Sequence, residues 1–374
     1  MSVKKLGLIV NPVAGLGGRV GLKGSDGPEV WKKALSMGAV PESPKRAVRA
    51  LDLLVDLRND LELITYPGEM GEEEARACGF SPRVIGTIHR GATTPADTER
   101  AASDMAAQGV ELILFAGGDG TARDVYRAVG RGIPVLGIPS GVKIHSGAFA
   151  ASPIHAGEVA RLFLTNRTSV PLREAEVMDI DEQAFRHNSL SARLYGYLCV
   201  PFQREHLQGS KAGSSRGERV SFDEIASEVI GGMLPEHLYI IGPGTTTRAI
   251  TDKLGLSGTL LGVDAVLNRN PAGTDLNERQ LLELLDRRPG RIVVSVIGGQ
   301  GFILGRGNQQ ISPRVIRKAG VKNILVVAAE DKLLALGDKP LRVDTGDPEL
   351  DAELSGYLPV IVGLNRRRVC AVSA

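Results

Sequence analysis

Short apolar runs alternate with longer amphipathic segments over the first 165 residues. The runs fall at 6–10 (LGLIV), 61–65 (LELIT), 83–86 (RVIG), 111–116 (ELILFA) and 134–138 (PVLGI). Apolar runs this short suit buried strands better than helices. Helical segments are expected between them, near 43–58, 69–77, 94–108 and 121–130. Pro95, preceded by Thr93 and Thr94, marks one helix start, and Thr121 is expected to cap the last. Strands alternating with helices predict a parallel sheet with helices on its faces. Ligands bind such sheets beyond the carboxyl ends of the strands. That rule places four loops on one rim: 11–18 (NPVAGLGG), 91–98 (GATTPADT), 116–121 (AGGDGT) and 138–147 (IPSGVKIHSG).

The texture changes after about residue 166. Strand-like runs follow at 174–181, 192–202, 238–242, 258–267, 291–299, 301–305 and 323–329. Helical segments are expected at 222–232 and 277–287, and residues 331–347 (DKLLALGDKPLRVDTGD) read as hairpins. The expected fold is therefore α/β. A Rossmann-like, parallel-sheet nucleotide-binding domain spans 1–167, and a strand-rich α+β domain spans 168–374. The polar stretch 203–219 is either a solvated loop or a flap over a site.

Composition narrows the classes. The chain has 374 residues and is 43% hydrophobic, enough for two cored domains. Lys and Arg number 45 against 43 Asp and Glu, a formal charge of +2. That balance argues against a nucleic-acid or membrane partner. Cys78, Cys199 and Cys370 are far apart and not in metal spacing, which fits a reducing compartment without a disulfide framework or zinc site. The opening apolar run is too short for a signal peptide, and no run reaches the ~18 residues of a membrane span. The expectation is a cytoplasmic protein.

The chemistry concentrates in AGGDGT. Gly117, Gly118 and Gly120 let main-chain amides turn toward phosphate oxygens, and the positive end of the following helix points to the same place. A carboxylate there would repel phosphate. Asp119 makes sense facing a hydroxyl to be deprotonated, or a magnesium ion that offsets its charge; the plainer alternative is a turn residue. Positioning and electrostatics supply most of the remaining catalysis in phosphoryl transfer.

GGDGT after a hydrophobic strand resembles the signature shared by NAD kinases, diacylglycerol and sphingosine kinases and 6-phosphofructokinases. IVNPVAG (9–15) resembles the Asn-Pro opening of the NAD and lipid kinases. IPSGVKIHSGAFA (138–150) sits where they carry a second glycine loop. GPGTTTRAI (242–250) is similar to the Gly-Thr-Ser-Thr-Ala segment of NAD kinases. With 11–27 and 298–313, the pattern looks most like the ATP-NAD kinase family, in the branch that includes the acetoin-catabolism protein X. The resemblance implies a kinase that phosphorylates the 2′-hydroxyl of NAD to give NADP, with ATP or polyphosphate as donor and Mg²⁺ as cofactor. It implies a homo-oligomer, and Asp119 as the base. Asn11, Gly15, Gly117, Gly118, Gly120, Thr121, Gly141 and Lys143 would hold nucleotide phosphates, and Gly244, Thr245, Thr246 and Thr247 would lie near the dinucleotide. One family feature has no match. NAD kinases carry an Asn-acid pair between the second glycine loop and the Gly-Thr segment, whereas Asp179 and Asp181 here lack the asparagine. Two alternatives stay open: a kinase of a lipid or small hydroxyl metabolite, and a nucleotide-binding regulator without turnover.

The remaining candidates are weaker. Residues 15–27 hold six glycines but match neither a dinucleotide fingerprint nor a P-loop. Arg19 and Lys23 there suit a phosphate, with Asp26 near a metal. Arg306 and Asn308 suit a base edge or a phosphate, or simply a glycine-rich turn. Arg123 and Asp124 point to ligand or to solvent, and His145 is a loop histidine that either serves the ligand or is solvated.

Overall fold

The computed structural model describes residues 3–22, 28–141, 144–166, 170–180, 192–202, 218–297 and 301–374. Its contacts divide the chain into two compact units. The first comprises 1–16, 25–31 and 40–210, and the second 17–24, 32–39 and 211–374.

In the first unit, β1 (Lys4–Val10), β2 (Leu61–Thr65), β3 (Arg83–Val84), β4 (Leu112–Gly117) and β5 (Val135–Pro139) form a parallel sheet in the order β3-β2-β1-β4-β5. Every residue from Leu6 to Val10 and from Leu112 to Gly117 is buried, which explains why these runs are apolar without alternation. Burying a large apolar side chain stabilises the fold by about 1.5–3 kcal/mol. Phe115 packs edge-on to Phe149 with ring centroids 5.2 Å apart. The strand order reverses between β1 and β4, so the loops leaving those two strands flank the crevice where such sheets take ligands.

After α1 (Pro28–Ser36) come α2 (Ser43–Leu51), α3 (Glu72–Ala77), α4 (Pro95–Ala107), α5 (Asp119–Val129) and α6 (Pro153–Thr165). The helix expected over 43–58 tightens to a 3₁₀ segment at Asp52–Leu57, and a 3₁₀ turn at Gly68–Met70 precedes α3. Thr94 does start α4, with a capping box to Asp97. Thr121 is not a cap. Gly118 occupies that position and Asp119 is already helical, which moves Thr121 into the first turn. The sequence reading gave no helix at 153–165. Ser152 caps it by accepting from His155 N, and Ala156, Gly157 and Ala160 let it pack closely. The long antiparallel pair β6 (Leu172–Ile180) and β7 (Ala192–Pro201) packs on α5 and β5 within this unit.

The second unit contains α7 (Glu218–Gly231), β8 (Leu238–Ile241), α8 (Thr245–Lys253), β9 (Asp264–Leu267), β10 (Asn270–Gly273), α9 (Glu278–Leu285) and β11 (Gly290–Ser295). It continues with β12 (Phe302–Leu304), α10 (Pro313–Ala319), β13 (Ile324–Val327), α11 (Glu330–Leu336), β14 (Leu341–Val343), α12 (Pro348–Leu354), β15 (Gly356–Gly363) and β16 (Arg366–Ser373). The sheet order is β10-β9-β8-β11-β13-β15-β16-β14-β12, with β8, β11, β13 and β15 mutually parallel at its centre. The hairpin reading of 331–347 is corrected. Residues 330–336 form α11, and β14 pairs in parallel with β12 and β16. Leu333 and Leu336 are buried three residues apart while Leu334 is exposed, which is helical spacing. The hairpin lies later, at β15 and β16.

Candidate active site

Three loops meet at the carboxyl ends of β1, β4 and β5. Asn11 follows β1. Its Nδ2 donates to Thr121 Oγ1 at 2.9 Å, and its Oδ1 accepts from Val13 N at 3.2 Å. Gly117 carbonyl accepts from Ser140 N at 2.8 Å and Gly141 N at 3.1 Å, which joins the β4 and β5 loops. Two glycines are required by this closeness. A Cβ on Gly15, at φ +81°, would lie 2.3 Å from Ser140 O, and a Cβ on Gly117 would lie 2.3 Å from Thr121 Oγ1. The sequence candidates Asn11, Gly15, Gly117, Gly118, Asp119, Thr121 and Gly141 are thus gathered on one rim. Thr121 is buried with its hydroxyl on Asn11, so it locks two loops together. Gly120 is half-buried in the first turn of α5.

Asp119 is 7% exposed. Its Oδ1 accepts from Ser146 N at 2.9 Å, and its Oδ2 accepts from His145 N at 2.8 Å. His145 Nδ1 lies 3.3 Å from the same Oδ2. A carboxylate at the start of α5 also suits the positive end of the helix. The loop it grips is held from the other side. Ser146 Oγ donates to Met178 O at 2.9 Å and accepts from Met178 N at 3.0 Å, and Gly147 N donates to Glu176 O at 2.9 Å. Asp119 therefore sits between two rim loops, one of them anchored to β6.

Neighbouring charged side chains contact other groups of this unit. Asp124 is 4% exposed and pairs with Arg123 at 3.5 Å and Arg127 at 3.8 Å. Burial pushes its carboxyl up to about 6, against the pull of Arg123. The Arg123 guanidinium lies 5.8 Å from the centre of the Tyr195 ring, so it faces β7. Arg46, which the sequence reading passed over, is buried and donates to Pro139 O at 2.9 Å. An arginine inside an apolar helix pattern reads as surface until its carbonyl partner is known.

The second unit holds the other candidates. Gly244 caps α8, Thr245 is exposed at its first position, and Thr246 and Thr247 are fully buried. Thr247 Oγ1 donates to Gly244 O at 3.1 Å. Lys332, also missed because 331–347 was read as strand, donates to Thr246 Oγ1 at 3.2 Å. Arg306 forms a buried pair with Asp344 at 3.0 Å, its guanidinium 4.8 Å from the centre of the Phe302 ring. Asn308 accepts from Gly305 N at 3.0 Å and donates to Ile303 O at 2.9 Å. Both side chains brace the turn after β12. Arg19 O accepts from Glu278 N at 3.2 Å. Lys143, Lys23 and Asp26 lie outside the described residues. Among the described residues no three metal-ligating side chains cluster, so none is assigned to Mg²⁺.

A parallel sheet whose strand order reverses, with glycine loops and a helix start at the reversal, is an arrangement that α/β proteins use to take phosphate-bearing ligands. The match to family models is more specific. Residues 6–168 match the ATP-NAD kinase N-terminal domain and 234–372 the ATP-NAD kinase C-terminal domain. The chain belongs to the ATP-NAD kinase family. No curated protein matches it. Among solved structures it resembles a diacylglycerol kinase from Bacillus anthracis str. Sterne. That likeness has 16% identity over 48% of this chain and 46% of the other, with a TM-score of 0.25. It also resembles a UDP-N-acetylglucosamine 2-epimerase, with 10% identity over 94% and 87% of the two chains and a TM-score of 0.25. The chain thus spans about half the length of the kinase. At such scores neither likeness bears on function. Among the described residues no helix is long and apolar enough to cross a membrane.

Proposed function

We propose that the protein transfers the γ-phosphoryl group of ATP to the 2′-hydroxyl of the adenosine ribose of NAD, giving NADP and ADP. The observation that carries this reading is the placement of Asp119: buried, at the start of α5, and joined to the β5 loop. Helix N–H groups of Gly120 and Thr121 and the amides of the glycine loops suit phosphate oxygens. The Asp119 carboxylate is needed to take up the hydroxyl proton, either directly or through the imidazole against it. Mg²⁺ would accompany the ATP phosphates, as is usual for an ion that keeps few protein ligands.

The missing Asn-acid pair favours a second reading, in which the acceptor is another alcohol. One assay separates the two. Purified protein is incubated with Mg-ATP and, in turn, NAD, NADH, diacylglycerol and sphingosine, while ADP and NADP are followed. NADP formation that falls by about 10²–10⁴-fold in Asp119→Asn is the expected result. ADP release with a lipid alone would replace NAD as acceptor, and tight NAD binding without ADP release would make the protein a regulator.

A further inference from the structure

Glu174 and Glu176 lie two residues apart on β6, so their side chains share one face of the strand. Ala175 and Val177 take the other face and are buried in the core. Glu174 pairs with Arg131 at 2.9 Å, and the Arg131 guanidinium lies 5.5 Å from the centre of the Tyr197 ring. Glu176 stands directly opposite Tyr197 in the register of β6 and β7. It is half-buried, yet its carboxylate accepts no hydrogen bond and joins no ion pair among the described residues. Arg173 is the cation whose charge acts on it, and that guanidinium lies 4.7 Å from the centre of the Phe202 ring.

The loop that Asp119 grips runs beside this carboxylate. Ser146 N donates to Asp119 Oδ1, and the next residue, Gly147, donates its N–H to Glu176 O. A Cβ on Gly147 would lie 3.1 Å from Glu176 Oε2 and 3.6 Å from Ala175 Cβ. Glycine at 147 therefore lets the Glu176 side chain lie against the main chain of the loop. Chain geometry holds the two carboxylates within about 13 Å of each other. An ionised carboxylate has about four acceptor positions, and those of Glu176 are unused. It repels phosphate, so its complement is a donor or a cation. No group of three metal-ligating side chains gathers among the described residues, which favours a neutral donor. Sugar hydroxyls are such donors, and an acid near the phosphate loops of a parallel α/β sheet serves a ribose hydroxyl in dinucleotide sites.

We propose that Glu176 is a specificity-determining residue whose carboxylate accepts hydrogen bonds from the sugar hydroxyls of the acceptor. This rests on the reading of NAD as the ligand of this site. The negative charge also disfavours an acceptor whose sugar already carries phosphate, so NAD is taken in preference to NADP. No bond is made or broken at Glu176; its part is recognition.

The test uses the full chain and reads binding apart from turnover. Wild type, Glu176→Gln and Glu176→Asp are titrated with NAD, NADP and ADP by calorimetry, with thermal melting as a folding control. Glutamine keeps the size of the side chain and removes its charge. The expected result is a Kd for NAD raised about tenfold or more in Glu176→Gln, because hydrogen bonds to charged groups are the stronger ones. NADP weakens by less than NAD, ADP stays within about threefold, and Glu176→Asp recovers part of the NAD affinity. With Mg-ATP, KM for NAD rises in step while kcat stays within about threefold. Folded Glu176→Gln that binds NAD as wild type does overturns the proposal and leaves the kinase reading intact. Equal loss of NAD and ADP makes Glu176 part of the scaffold and overturns it too. Wild type that binds NAD without forming NADP overturns the kinase reading alone, and weaker NAD binding by Glu176→Gln then still supports this proposal. Wild type that binds no NAD overturns both.

Discussion

Glu74 shows how one side chain in α3 sets a pH response. It is 5% exposed, and burial pushes its carboxyl up to about 7 from an ordinary 4.5, with Glu73 and Glu69 adding to the rise. As pH climbs through that window the unfolded chain loses its proton first, so folding stability falls with rising pH. Glu74→Gln should flatten this part of the stability–pH curve and stabilise the protein by about 2–3 kcal/mol above pH ~8, read from melts across pH. Arg306 and Asp344 give the opposite result. Both are nearly inaccessible, so Asp344→Ala removes the carboxylate half of a buried ion pair and should cost about 3–5 kcal/mol in denaturant unfolding. At this scale the sequence revealed Asp119, because a carboxylate among glycines after an apolar strand has few structural uses. It did not reveal that His145 and Ser146, 26 and 27 residues away, would supply its hydrogen bonds.

Elements were legible where a local rule settled them. The run 61–65 is β2 to the residue, and Thr94, Pro95 and Asp97 announce α4. Thr94→Ala removes the side-chain half of that capping box and should lower stability by about 1 kcal/mol, checked by chemical denaturation. Elements were lost where two periods competed. The run Lys332–Leu336 satisfies a strand by its leucines, yet it buries Leu333 and Leu336 on one helical face. Helix α6 escaped notice because its sequence is largely apolar and small, with no contrast between faces. Thr121 was misplaced as a cap because the carbonyl of Gly118, three residues earlier, already accepts the first helical hydrogen bond, from Ala122 N.

The whole molecule depends on contacts distant in sequence. β1 lies between β2 and β4, so the middle of the first sheet comes from the start of the chain. Residues 17–22 belong to the second unit, where Gly18 lies against Gln309 and Arg19 O bonds Glu278 N. A chain beginning at residue 40 loses both contributions and should show no cooperative melt by circular dichroism, while the full chain melts cooperatively. The sequence by itself determined the parallel α/β architecture of the first unit, the rim on which the glycine loops gather, and the family. Each follows from short-range patterns: strand length, helix period, and glycine where main chains must approach. Only the tertiary structure decided which strands adjoin, which hydroxyls and guanidiniums serve the scaffold, and which imidazole faces Asp119. Those outcomes depend on groups dozens or hundreds of residues apart, and burial and hydrogen-bond satisfaction fix them only once the chain has closed on itself.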